Sequence, residues 1–400
     1  MNTRFLKKRA LFPTFVPMNF SDFFLALSFF SCTFYLLTLS FLLYGMKHSV
    51  PARSGSSNTL VSIIVAARNE EKAIRNLLER LILQSYSNYE IIIVDDRSED
   101  RTPDIVRSFQ DKRGNLRLIR ITDLDPMMPP KKRALEAGIR ESKGEILLFT
   151  DADCMPPKGW AAEFAGAFAD DVGLVAGYSP YDMALLQGSK NTLLHRVAGA
   201  FLQFEELKGA LWSAGSIGIG KAWLCTGRNL AYRKRVWEEV GGFDSIRKSV
   251  SGDDDLFLQH VRRTTQWKIK YLSTPESVVP TIPPVSLQSF AAQRIRHFSA
   301  ARFFTLPMKA FFPLFHGANV VLYAGLALFF LWHFPAGILF FAFKSAADIL
   351  FLGLGRRFLG IGTRVSSVVV LEALYAAYNA IFAPLGMFAP YTWKGSPGNR

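Results

Sequence analysis

The chain is apolar at its two ends over lengths that match a lipid bilayer, and ordinarily polar between them. No other feature constrains its fold as strongly. Residues 20–46 carry one charge, Asp22, near their edge, and a bilayer-spanning helix needs about 20 apolar residues. Arg4, Lys7, Lys8 and Arg9 precede the run as they would a signal peptide. The run exceeds a signal core, however, and no small-residue cleavage site follows, so a retained anchor is expected. A second apolar region covers 310–390. Pro335 and a basic loop with Arg356, Arg357 and Arg364 divide it into spans at 310–333, 335–355 and 365–389. Lys344 and Asp348 are four residues apart and share a helix face, and Glu372 sits in the third span. These charges read either as packing between helices or as a polar lining for a lipid headgroup.

The formal net charge of +14 suits anionic lipid surfaces, phosphates or nucleic acid. With spans present, lipid and phosphate are the expected partners and nucleic acid is not. Oligomerisation is left open. Cys32, Cys154 and Cys225 have neither metal-ligand spacing nor a disulfide framework. Topology signals conflict: the basic tail 1–19 favours the cytoplasm and would put the middle of the chain outside, whereas the arginine loop two spans later favours it inside.

The middle, 58–300, is long enough for its own core. Residues 60–67, 89–94, 116–121 and 145–150 read as short apolar strands. Residues 71–84, 102–109 and 131–142 read as helices, the second with Thr102 as a cap and Pro103 at its first position. Strands alternating with helices predict a mostly parallel sheet covered on both faces, with ligands beyond the carboxyl ends of the strands. Polar residues cluster there: Arg68, Asn69 and Glu70 after the first strand, Asp95 and Asp96 after the second, Asp151 and Asp153 after the fourth. Each cluster alone reads equally as a solvated loop. Residues two apart on a strand point the same way, so Asp151 and Asp153 would offer two hard oxygen donors to Mg²⁺ or Mn²⁺. Residues 190–219 form an amphipathic helix with Phe201, Phe204, Leu207 and Leu211 on its apolar face. It would lie on the membrane near an acceptor or pack on the sheet.

Over 58–300 these motifs resemble the family 2 glycosyltransferases, whose GT-A fold is Rossmann-like, and the flanking spans resemble its membrane-anchored members of the ceramide glucosyltransferase or polysaccharide synthase kind. Val-Ser-Ile-Ile-Val-Ala-Ala-Arg-Asn-Glu matches the family opening and Ile-Val-Asp-Asp-Arg-Ser-Glu-Asp the segment that holds base and ribose. Lys131 to Leu135 resembles Lys-x-x-Ala-Leu, and Thr150 to Asp153 the metal motif. Cys225 to Tyr232 is similar to the acceptor-side Gly-x-Asn segment, and Gly241 to Asp244 follows it. Ser251 to Leu256 stands in the place of Glu-Asp-x-Asp-Leu, Gln293 to His297 in that of Gln-x-x-Arg-Trp, and the tail Trp393-Lys394-Gly395 resembles membrane members.

The resemblance implies donor contacts at Ala66, Arg68, Glu70, Asp95, Asp96, Lys131, Asp151, Gln293, Arg294 and Arg296, and metal contacts at Asp151 and Asp153. It also implies acceptor contacts at Gly227, Asn229 and His297, and catalytic carboxylates at Asp253, Asp254 and Asp255, with Asp253 the base. Read from the residues alone, Asp253–Asp255 also suit a helix cap, Asn229 a turn, Asp95-Asp96 a strand end, and Gln293–Arg296 a basic face for anionic lipid. Gly252 stands where the family has Glu, so the base lacks a neighbour. His297 replaces Trp, and a histidine ordinarily titrates near neutrality. The implied activity is inverting, metal-dependent transfer from a nucleotide-diphosphate sugar, commonly uridine-based, to a lipid or lipid-linked hydroxyl. The implied location is a bacterial inner membrane with the catalytic domain cytoplasmic. Competing readings are a processive polysaccharide synthase, a nucleotidyltransferase and a non-catalytic membrane scaffold.

Overall fold

The structure, a computed structural model, describes residues 19–398 apart from 53–57, 112–113, 124, 126, 187–192, 362–366 and 394–395. The basic tail, the start of the expected helix at 190, Arg364, Lys394 and Gly395 therefore lie outside the described residues.

A long helix, α1 (Phe20–Ser49), leads into β1 (Val61–Ala67), α2 (Ile74–Leu81), β2 (Tyr89–Asp96), α3 (Thr102–Gln110), β3 (Leu116–Ile121), α4 (Pro130–Glu141) and β4 (Ile146–Phe149). Then come α5 (Trp160–Ala165), β5 (Val172–Gly177), α6 (Leu193–Gly218), β6 (Leu230–Arg233), α7 (Lys234–Glu239), α8 (Asp255–Thr264) and β7 (Lys268–Leu272). The chain continues through α9 (Leu287–Ser299), α10 (Leu306–Trp332), α11 (Pro335–Phe358) and α12 (Val368–Phe388). The alternation expected from the sequence is present. Two boundaries differ for local reasons. The helix expected at 71–84 is shorter, as α2: Glu71 N donates to Asp100 Oδ2 and Gln84 Nε2 to the Pro157 carbonyl, which ties both ends outside the helix. Thr102 lies one residue inside α3, and its hydroxyl accepts from Glu70 N.

The seven strands run in the order β3-β2-β1-β4-β6-β5-β7. The first four are parallel, with Ala67 level with Asp95, and β6 is antiparallel to β4 and β5. Alternation sorts side chains by face. Val61, Ile63 and Val65 pack with Leu77 and Leu81 of α2, while Ile64, Ile92 and Val94 pack with Ala134 and Ile139 of α4. The second of these cores is continuous with α1, α6, α10 and α11, through Tyr35, Leu211, Phe315 and Phe351.

Helices α1, α10, α11 and α12 are long and apolar enough to cross a membrane by length and composition and expose large apolar side chains such as Phe41, Phe330 and Phe343. Phe20 and Phe24 of α1 meet Trp332 and Phe334, and at its other end the His48 carbonyl accepts from Lys270 of β7. Phe358, beside Arg356 and Arg357, meets Tyr271 of the same strand. The start of α1 and the arginine end of α11 thus lie at opposite ends of the helix group, and the conflict between the two topology signals persists in the structure.

The charges inside these helices pair with one another. Lys344 Nζ lies 2.7 Å from Asp348 Oδ2, Tyr35 OH donates to Asp348 Oδ1 at 2.6 Å, and Lys208 of α6 donates to Glu372 of α12 at 2.6 Å. Of the two readings of these residues, this pairing is that of helix packing. The amphipathic helix α6 takes neither simple course. It is wedged between α1 and α12 and also meets β7.

Candidate active site

A cavity of ≈ 670 Å³ opens where the carboxyl ends of the strands meet the helix group. Lys131, on the first turn of α4, stands at its centre of charge: Nζ lies 3.0 Å from Asp151 Oδ1 and 3.1 Å from Asp253 Oδ2. Burial disfavours the ammonium, but Asp151 and Asp253 outweigh this and hold it protonated. The same contact overrides burial at Asp151 and pulls its carboxyl down. At Asp153, burial and the charge of Asp151 push the carboxyl up.

Asp151 and Asp153 do not extend a strand, as expected from the i, i+2 rule. β4 ends at Phe149, and Cys154 N donates to the Asp151 carbonyl at 3.2 Å, so the pair sits on a tight turn. The turn still leaves two adjacent hard oxygen donors with a single ion-pair contact between them among the described residues, the one from Lys131 to Asp151. Such an under-neutralised pair fits Mg²⁺ or Mn²⁺. No group of three or more metal-binding side chains occurs among the described residues, so phosphate and water would complete the shell. Cys154 does not compete, since burial pushes its thiol up to about 12.

The three neighbouring aspartates have different tasks. Only Asp253 reaches Lys131. Asp254 accepts from Asp255 N at 2.7 Å as the cap of α8 and from Gly227 N at 2.9 Å. Asp255 accepts from Cys225 N at 2.6 Å. Asp254 and Asp255 also line the cavity, and these bonds make them fasteners of the loops around Asp253. Gly252 has φ +82°, and a Cβ there would lie 2.6 Å from Leu256, so the backbone requires glycine where the resembling family has Glu. Lys132, which sequence reasoning passed over, is buried and donates to the carbonyls of Ile246, Ser249 and Ser251, holding the segment that carries Asp253.

Other expected residues divide. Gly227, Gln293, Arg294, Arg296 and His297 join Lys131, Asp151 and Asp253 in the cavity wall. Asn229 does not. Its amide donates to the carbonyls of Tyr178 and Ser277 and accepts from Trp160 Nε1, which makes it a buried strut behind the wall. Arg294 is clasped by Glu205 at 2.5 Å and Glu206 at 3.5 Å. His297 is exposed to the cavity, and the protein around it together with Arg296 and Arg294 lowers its pKa from the usual histidine range. Asp95 and Asp96, the last two residues of β2, pair with Arg120 and Arg97. Together with Ala66, Arg68 and Glu70 they edge the parallel half of the sheet, outside the cavity wall. Sequence reasoning also missed Glu205 and Glu206. Their signal was two adjacent acids in the apolar run of α6.

The cavity's other end is apolar. Met308, Phe312, Pro313 and Val320 of α10 face it, as do Ala380, Ala383 and Met387 of α12.

Comparison with known proteins agrees with this architecture. The family described as Glycosyl transferase family 2 matches residues 62–186, and Glycosyl transferase family group 2 matches residues 146–360, more than half of the chain. The chain is 29% identical over 204 residues to a probable glycosyltransferase, YdaM, of Bacillus subtilis (50% of this chain, 46% of the relative). It is 26% identical over 236 residues to a beta-monoglucosyldiacylglycerol synthase of Synechocystis (57% and 46%). It is 34% identical over 101 residues to a dolichyl-phosphate beta-glucosyltransferase, ALG5D, of Trichomonas vaginalis (23% and 30%). The matches thus span about half the length of these relatives or less. The fold is similar to that of the mannosyltransferase PcManGT from Pyrobaculum calidifontis, solved with GDP-Man and Mn²⁺, with TM-score 0.53, 20% identity, and 92% and 95% of the two chains covered.

Proposed function

The chain belongs to glycosyl transferase family group 2, and from that premise we propose that it moves one sugar from a nucleotide-diphosphate sugar to a hydroxyl of a membrane lipid. The observation that carries this reading is the cavity itself, which joins Lys131, Asp151 and Asp253 to the apolar faces of α10 and α12. A polar acceptor would have no use for the apolar end. Relatives named for diacylglycerol and dolichyl-phosphate glycosylation support a lipid acceptor.

Asp253 accepts the acceptor's hydroxyl proton while the new bond to the anomeric carbon forms and the bond to the diphosphate breaks, with the electron pair leaving on the diphosphate. One direct displacement inverts the configuration. Asp153, with Asp151, would hold Mg²⁺ or Mn²⁺, which when bound offsets the charge growing on the diphosphate. Lys131 and Arg296 add fixed positive charge on the same side. Asp95 and the turn at Arg68 to Glu70 offer polar groups to the base and ribose, and uridine is the favoured nucleotide by family habit. Residues 58–300 would form the transferase domain between an anchor at 20–46 and a membrane block at 310–390. That domain would face the cytoplasm, where nucleotide sugars are made.

The test is mass spectrometry of lipid extracts after incubating membranes with a panel of nucleotide sugars and Mn²⁺. The reading expects one added sugar per lipid. A ladder of additions would favour a polymer synthase, pyrophosphate release a nucleotidyltransferase, and no donor turnover a scaffold.

A further inference from the structure

Glu205 and Glu206 belong to none of the motifs the sequence resembles, yet both face the cavity. Each neutralises an arginine of its wall. Glu205 Oε2 lies 2.5 Å from Arg294 Nη2, and Glu206 Oε2 lies 2.9 Å from Arg228 Nη2. Further groups fix the arrangement. Tyr378 of α12 donates to Glu205 Oε1 at 3.2 Å, Arg294 donates to Tyr181 OH at 3.2 Å, and Arg228 donates to the Ser179 carbonyl at 3.0 Å. Both arginines are thus spent, in a wall whose three arginines, Arg228, Arg294 and Arg296, would otherwise suit phosphate.

We propose that Glu205 and Glu206 determine the acceptor class: by neutralising Arg228 and Arg294 they admit an uncharged, hydroxyl-bearing lipid headgroup and reject a lipid phosphate. The inference rests on the reading of the cavity as a lipid-acceptor site. A phosphate monoester brings a charge of about −1.5 to −2 at pH 7. Here it would meet a wall that carries Asp151, Asp253, Glu205 and Glu206, with five lysines and arginines among the described lining residues. Of those five bases, Lys131 is held by Asp151 and Asp253, and the two arginines by the glutamates. Arg296 bonds His297 at 3.1 Å and exerts its charge on Lys131 and Asp151, which is the donor side. Lys309 is exposed on the first turn of α10. A dianion at the reacting position would therefore lie beside Asp253, where Lys131 is already shared by two carboxylates, and like charges brought together are a strong means of rejecting the wrong ligand. An alcohol needs Asp253 as its base, which the site supplies, whereas a phosphate needs no base.

The test uses the full chain in phosphatidylcholine vesicles at pH 8 with a nucleotide sugar it turns over, and either diacylglycerol or polyprenyl phosphate as acceptor. The expected result is transfer to diacylglycerol alone, without competitive inhibition by an equal amount of polyprenyl phosphate. In Glu205→Gln with Glu206→Gln, the phosphate lipid should become a competitor or acceptor, its turnover relative to diacylglycerol rising by at least about tenfold. Transfer to polyprenyl phosphate by the unaltered chain, or its competition there, overturns the proposal, and this arm stands even if the double variant fails to fold. A folded double variant with unchanged selectivity also overturns it. Donor hydrolysis with transfer to neither lipid instead defeats the lipid-acceptor reading on which the proposal rests.

Discussion

Asp253 and Lys132 show how little of a site is carried by the group that reacts. Replacing Asp253 by Asn keeps the shape and removes the base. Donor binding should persist while transfer falls by roughly 10²–10⁴-fold, the usual worth of general-base help, which equilibrium titration of the donor beside single-turnover assays will separate. Lys132 acts through position. In Lys132→Met the carbonyls of Ile246, Ser249 and Ser251 lose their donor, and each buried unsatisfied group costs about 1–3 kcal/mol. The melting temperature and kcat should fall together, with donor affinity nearly unchanged. Glu205 supplies a pH signature. Burial pushes its carboxyl up to about 7 against the opposing pull of Arg294, from about 4.3 in an unfolded chain. A raised carboxyl favours the folded state most below its unfolded pKa, and that contribution is lost as pH rises through the folded one. Between about pH 4.3 and 7 the wild-type melting temperature should therefore decline with a component absent from Glu205→Gln. Glu206, Arg294, Arg228, Tyr181 and Tyr378 surround the group in both proteins.

Among the elements, α6 connects most of the molecule. Its middle bonds α12 through Lys208 and Glu372, and its end meets α1 so closely that a Cβ on Gly218 would lie 1.7 Å from the Gly45 carbonyl oxygen. Lys208 also sits 4.7 Å from the centre of the Tyr375 ring. Removing one member of a buried ion pair strands the other and costs about 3–5 kcal/mol, whereas replacing both by apolar groups of like size is often neutral. Glu372→Leu should thus lower thermal stability in detergent, while Lys208→Met with Glu372→Leu should recover most of the loss, because Lys344 keeps Asp348. If the single and double variants melt alike, the pair does not hold α6 on α12. The same helix presents Glu205 and Glu206 three and two residues earlier, so a shift of α6 would reach the cavity wall.

For the whole molecule, one core runs from the sheet face under α4 into the helix group. A fragment of 58–300 would uncover Leu211 and Trp212, which are buried in the full chain, and it should bind a hydrophobic dye and aggregate where the full chain in detergent does not. The sequence by itself determined the bilayer-length apolar ends, the strand-helix alternation and the polar clusters at strand ends, because periodicity and run length are local properties that report which face is buried. Asp253 and Lys131 were each marked by motif resemblance, but their contact was not. The tertiary structure alone decided what each polar group is bonded to. Arg294 meets Glu205 across 89 residues and Lys208 meets Glu372 across 164. Such pairings follow from how elements pack, and a hydrophobic pattern says that a face is covered without saying by what. That is why the sequence marked Asn229, Asp254 and Asp255 without showing the bonds by which they brace the loops around the cavity. It is also why Glu205 and Glu206, with no motif to mark them, emerged only when α6, α9 and α12 came together around one cavity.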